Sequence, residues 1–180
     1  MSSTAVPVAV VDLLTSLLEA ELGSVFRFMG EGSPYLSRAT VEVRRPLQEM
    51  VLAERRRAAD LAALVESITG ASPSPNVGLR RDEQYLAYLS LKFLLPKLVE
   101  EKQLHLQRYD NAARAITPLP NVPPDVPAVL ARHAAEIRAE LTALESAAAS
   151  VAPKSSTNGQ KDPSQSKVTR SDSDAEPSGG

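Results

Sequence analysis

Residues 43–70 read VRRPLQEMVLAERRRAADLAALVESITG, and the spacing of the apolar residues in this stretch decides the fold. Val43, Leu47, Met50, Ala58, Leu61, Val65 and Ile68 recur every three or four positions, the period of one helix face rather than of a strand. Gly70 ends the run, and Pro73 and Pro75 follow it, the usual punctuation of a helix C-terminus. Pro46 marks a kink or the true start of this helix. A helix with one apolar stripe needs partners to cover it, and the flanking sequence supplies three. Leu13 to Met29 carries a helical run stopped between Gly30 and Pro34, and Asp82 to Ile116 carries another with Pro96 inside it. Five prolines between Pro118 and Pro127 predict an irregular connection, after which Val126, Val129, Leu130, Ile137, Leu141 and Leu144 form the last helix.

The expected fold is therefore all-α: an antiparallel four-helix bundle over residues 8–149 with a disordered tail over 150–180. The connection from Thr69 to Arg80 is long enough, at about 3.4 Å per residue, to cross over along the bundle. Beyond Val151 the chain is rich in Ser, Lys, Asp, Gly and Pro and holds no aromatic residue, a composition that buries too little to order itself.

Composition narrows the chemistry. Of 180 residues 43% are apolar and only 4% aromatic, a balance that suits Ala/Leu helices. With no cysteine, thiolate metal sites, iron–sulfur clusters and thiol nucleophiles are excluded, so any metal must sit on His and carboxylate. Twenty basic against twenty-two acidic residues give no bias toward nucleic acid or an anionic membrane. The apolar N-terminal run lacks a basic n-region and is interrupted by Asp12, Glu19 and Glu21, so neither a secretion signal nor a membrane span is expected; the expected location is cytoplasmic. Phosphate loops, Ser/His/Asp constellations and basic-aromatic stripes are not found.

What calls for explanation is polar chemistry on apolar faces. At 100° per residue, Glu21 points within about 60° of Leu14, Leu17, Leu18 and Val25. Glu54 lies within about 40° of Leu47, Met50, Ala58, Leu61 and Val65. His105 shares the face of Leu94, Leu98, Tyr109 and Ala112, with Glu101 one turn before it, and His133 lies toward Val126, Leu130 and Ile137, with Glu136 nearer the flank. These are the chain's two histidines, and both point inward. A carboxylate buried alone costs several kcal/mol or takes a proton, so the group needs a common partner. A pair of divalent ions is one such partner.

The first helix, Leu18-Glu19-Ala20-Glu21-Leu22-Gly23-Ser24-Val25-Phe26-Arg27-Phe28, resembles that of bacterioferritin- and rubrerythrin-type ferritin-like proteins, with Glu21 at the first metal-ligand position. Glu54, 33 residues on, falls where those families place the Glu of their first Glu-x-x-His motif, and the Gly70/Pro73 exit is similar too. The resemblance covers roughly residues 10 to 148 and implies a two-metal site holding iron or manganese on Glu21, Glu54, Glu101, His105, His133 and Glu136. It departs from the pattern at the motifs themselves. Arg57 stands where the first motif has His, His133 and Glu136 reverse the order of the second, and either Glu101 or His105 is the third-helix ligand.

Two functions follow. One is a ferritin-like metalloprotein with a divergent or degenerate site, acting in iron binding or oxidation. The other is a metal-free bundle of the same kind, able to form a homo-oligomer and serving as a structural or protein-interaction module with the tail as a tether. The second takes Glu21 and Glu54 as ion-pair partners of Arg57, since a cation at a ligand position replaces a metal's charge. It takes His105 and His133 as hydrogen-bonded core residues, with Tyr109 one turn from His105 as the neighbour to watch.

Overall fold

The computed structural model describes residues 6–26, 39–77 and 89–151. Within them are four helices: α1 (Val8–Leu22), α2 (Val41–Thr69), α3 (Leu91–Ile116) and α4 (Asp125–Val151). No strand occurs among the described residues. The expected tail from residue 152 onward, the stretch 27–34 and the first part of the third expected run, 82–88, lie outside the described residues. No helix among the described residues is long and apolar enough to cross a membrane.

Sequence chemistry accounts for most helix ends. Thr40 and Ser90 hold extended backbone ahead of α2 and α3, and each carbonyl accepts from the first-turn N–H groups that have no intrahelical partner. Pro46 and Pro96 each sit five residues after their helix begins, and both helices run through them. Gly70 closes α2 in the left-handed conformation, φ 72°, and its N–H donates to the Glu66 carbonyl.

Three boundaries and one apolar residue differ from the sequence expectation. α1 stops at Leu22, with Gly23 donating to the Glu19 carbonyl, before Val25 and Phe26 turn helical again in the same phase. α3 starts at Leu91, since Leu89 and Ser90 are not helical. Phe93, one of the apolar residues of the run from Asp82 to Ile116, is 62% exposed near the start of that helix. α4 begins at Asp125 and takes Pro127 into its first turn, where a missing N–H costs nothing.

The helices form a ring in which α1 packs on α2 and α3, and α4 packs on α2 and α3. Their apolar faces build two separate cores. The first gathers Leu14 and Leu18 of α1, Leu61 and Val65 of α2, Ala112 and Ile116 of α3, and Val126 and Leu130 of α4. The second gathers Val25 and Phe26, Leu47 and Met50, Leu94 and Leu98, and Leu144 and Ala147. Along α2 and α3 the second core comes first and the first core later, while the order is reversed along α1 and α4. Alternating helix directions around the ring produce this ordering, so the route from α2 to α3 starts and finishes at opposite ends of the bundle. Residues 71–77 begin that route beside α1, where the Asn76 N–H donates to Glu19 at 2.9 Å. Between the two cores lies a layer of charge.

A buried ionic layer as the candidate functional site

Each helix contributes to this layer at the point where its apolar stripe passes from one core to the other: Glu21 from α1, Glu54 and Arg57 from α2, Lys102 and His105 from α3, Glu140 from α4. Glu21, Glu54, Arg57, Lys102, His105 and His133 are all buried, and the Arg57 and Lys102 side chains are inaccessible to solvent. A charge in such surroundings is tolerated only when paired and hydrogen-bonded.

The pairing is dense. Arg57 donates from Nε to Glu21 Oε1 at 2.8 Å and from Nη1 and Nη2 to the two oxygens of Glu140 at 2.6 and 3.3 Å. The fork onto Glu140 is the two-pronged geometry that suits a guanidinium to a carboxylate. Lys102 Nζ donates to Glu54 Oε1 at 2.9 Å and to Glu140 Oε2 at 3.0 Å, and lies 4.0 Å from the Phe26 ring centroid. Glu140 thus bridges both cations.

Glu21 Oε1 accepts two further bonds, from Tyr109 Oη at 2.7 Å and from His105 Nε2 at 2.9 Å. The carboxylate is acceptor-only, so it fixes the His105 tautomer with a proton on Nε2. From Tyr109 the contacts continue to His133 Nδ1 at 3.3 Å and from His133 Nε2 to Asp60 at 3.1 Å, where Arg132 also donates at 2.7 Å. Side chains therefore connect His105 to the α2/α4 surface through the middle of the bundle.

Electrostatics follow from these contacts. Burial pushes the Glu21 carboxyl up, but His105, Arg57 and Tyr109 outweigh it and hold the pKa at about 2. Glu54 goes the other way: burial and the nearby Glu21 charge raise it, and Lys102 offsets only part. Burial disfavours the Arg57 cation, yet Glu21 and Glu140 hold its proton more firmly than in water. Tyr109 is raised by burial and by Glu21, so its hydroxyl remains a donor. Burial lowers His133 despite Asp60.

Of the six residues expected as metal ligands, the structure brings Glu21 and His105 into direct contact and places Glu54 in the same layer, joined to them through Lys102, Glu140 and Arg57. His133 reaches Glu21 only through Tyr109. Glu136 sits at the flank, 3.2 Å from Arg56 and 3.8 Å from Arg57. Glu101 lines a cleft between α1 and α3. Among the described residues no group of three or more His, Asp or Glu is arranged to hold a metal ion. The carboxylates face two fixed cations, so this donor set does not fit a pair of metal ions as it stands. Lys102 and Glu140 complete the layer and are absent from the sequence expectation, although both lie centrally on their buried helix faces.

No protein family, curated protein or solved structure matches the chain.

Proposed function

We propose that this chain is a metal-free bundle on the ferritin-like plan, in which an ionic layer stands in for a two-metal centre, and that it works as a structural or protein-interaction module. The observation that carries this reading is the position of the Arg57 guanidinium, bonded on one side to Glu21 and on the other to Glu140. Arg57 follows Glu54 at the spacing where the resembled families have a histidine, so one substitution supplies the charge that a metal would bring. Lys102 supplies a second, between Glu54 and Glu140. Exposed Leu52 on α2, and Phe93 and Leu104 on α3, are apolar side chains that contacts with a partner or a second copy would cover. A cytoplasmic location and self-association belong to the proposal.

The test is elemental analysis of protein purified without chelators, followed by thermal melts with added Fe²⁺ and Mn²⁺. The expected result is metal well below one equivalent per chain and no rise in melting temperature with either ion. Stoichiometric iron or manganese, or a saturable stabilisation by either, would reinstate the reading of a metalloprotein acting in iron binding or oxidation.

A further inference from the structure

The ionic layer is not closed on all sides. Three carboxylates, Glu21, Glu54 and Glu140, face two fixed cations, Arg57 and Lys102. The two acids are unequally served: Glu21 has Arg57, His105 and Tyr109 about it, whereas Glu54 has Lys102 alone, and shares it with Glu140, in a region nearly sealed from water. Two buried oxygens have no hydrogen-bond partner, Glu21 Oε2 and Glu54 Oε2. Glu54 is also a wall of the cleft between α1 and α3, which encloses about 290 Å³, close to the lower end of the ~300–1,000 Å³ typical of small-molecule sites.

The cleft is graded in polarity. At its deep end are the buried Glu54, Lys102 and Phe26, and toward the mouth are the more exposed Glu19, Glu101 and Arg108. Lys102 is already committed to Glu54, Glu140 and the Phe26 ring, which leaves the free oxygen of Glu54 as the group that still needs something from the cleft. That need is for an N–H or O–H donor, and a buried carboxylate that shares its one cation with Glu140 favours a positive one. A metal ion would demand several oxygen or nitrogen donors around one point. An ammonium group needs one strong acceptor at the end of a pocket and acidic residues along its path, which is what Glu54, Glu19 and Glu101 provide.

We infer that the cleft between α1 and α3 is a binding site for a small aliphatic amine, whose ammonium group donates to Glu54 Oε2 at the deep end and whose remainder lies toward Glu19 and Glu101. This inference rests on the metal-free reading of the layer, because a metal on Glu54 would use the same oxygen. Burial, with the Glu21 charge, raises the affinity of Glu54 for a proton and Lys102 offsets only part, as befits a carboxylate short of positive partners.

Putrescine is the probe, titrated calorimetrically at neutral pH into the full chain, with the metal content of the same sample measured. The uncharged diol of the same chain length and inorganic phosphate serve as comparison ligands. Saturable putrescine binding is expected, with none of the diol and none of phosphate, and at least a tenfold loss in Glu54→Gln. Because Glu54→Gln also removes a partner of Lys102, Glu19→Gln and Glu101→Gln are measured alongside it. These rim variants are expected to weaken binding several-fold with the helical circular-dichroism signal retained. No putrescine binding in metal-free protein would overturn this inference and leave the metal-free reading standing; so would binding of phosphate in its place, or putrescine binding that all three variants leave intact. Metal found in the sample would overturn the metal-free reading itself.

Discussion

At the level of single residues, Arg57 is the side chain on which the layer depends. It is the partner of Glu21 and, with Lys102, of Glu140, and its own side chain is inaccessible to solvent. Breaking a buried pair from one side leaves a charge that has lost its hydration and found nothing in return. Arg57→Met should therefore lower unfolding stability by about 3–5 kcal/mol, read from the shift of a urea midpoint. Replacing Arg57, Glu21 and Glu140 together by apolar residues of similar volume should cost far less, since the desolvation of the whole group is then removed with its attraction. If Arg57→Met were as stable as the parent chain, the guanidinium would have to reach solvent. The comparison separates what the layer contributes to stability from what it contributes to specificity: a charged layer makes one axial register of four helices much better than any other.

Helices were legible in the sequence where periodicity is strong and less so where it carries across a break. Gly23 stops α1, yet Val25 and Phe26 keep the same phase and read as its continuation. The stop at Gly70 was clear because a left-handed φ of 72° strongly favours glycine there. Nothing lies within 4 Å of a Cβ added at Gly70, so Gly70→Ala meets backbone strain alone. It should cost about 1–2 kcal/mol by thermal or urea unfolding, and Gly70→Asn less. An unchanged alanine variant would show that the α2 end has another conformation open to it. The candidate site was half legible for a related reason. Glu21, Glu54, Arg57, His105 and Tyr109 stand out as polar residues in an apolar stripe, and all belong to the network. Lys102 and Glu140 are less legible, although Lys102 lies within about 40° of Leu95, Leu98 and Tyr109, and Glu140 within about 40° of Leu144 and His133. Long charged side chains are usually solvated, and the resemblance to ferritin-like motifs points to Glu101 and Glu136 instead. Helical position alone, without regard to residue type, places both on the buried faces.

Across the whole molecule, the layer divides what would be one hydrophobic core into two and couples their stability to pH. The sign follows from which state binds protons more tightly. His133 has a pKa below its ordinary 6.5 in the folded protein, so as pH falls below that value the unfolded chain takes up the proton first and stability drops. Glu54 acts in reverse: its raised folded pKa means the folded state binds the proton more tightly, and acidification through that range returns some stability. Glu21 dominates at lower pH. Its folded pKa of about 2 against an ordinary 4.5 means the unfolded chain is protonated there while the folded chain is not. That difference corresponds to about 3 kcal/mol, fully present above pH 4.5 and lost as pH falls toward 2. Urea unfolding as a function of pH should then show a steep loss in this window for the parent chain. In Glu21→Gln the curve should start lower, because Arg57 has lost a carboxylate, and run nearly flat through the same window. Parallel losses in the two proteins between pH 4.5 and 2 would mean that other carboxylates carry the acid sensitivity and that the Glu21 charge is not held in the layer. A flat variant curve would tie the acid limit of the fold to a single buried oxygen, the one that Arg57, His105 and Tyr109 share.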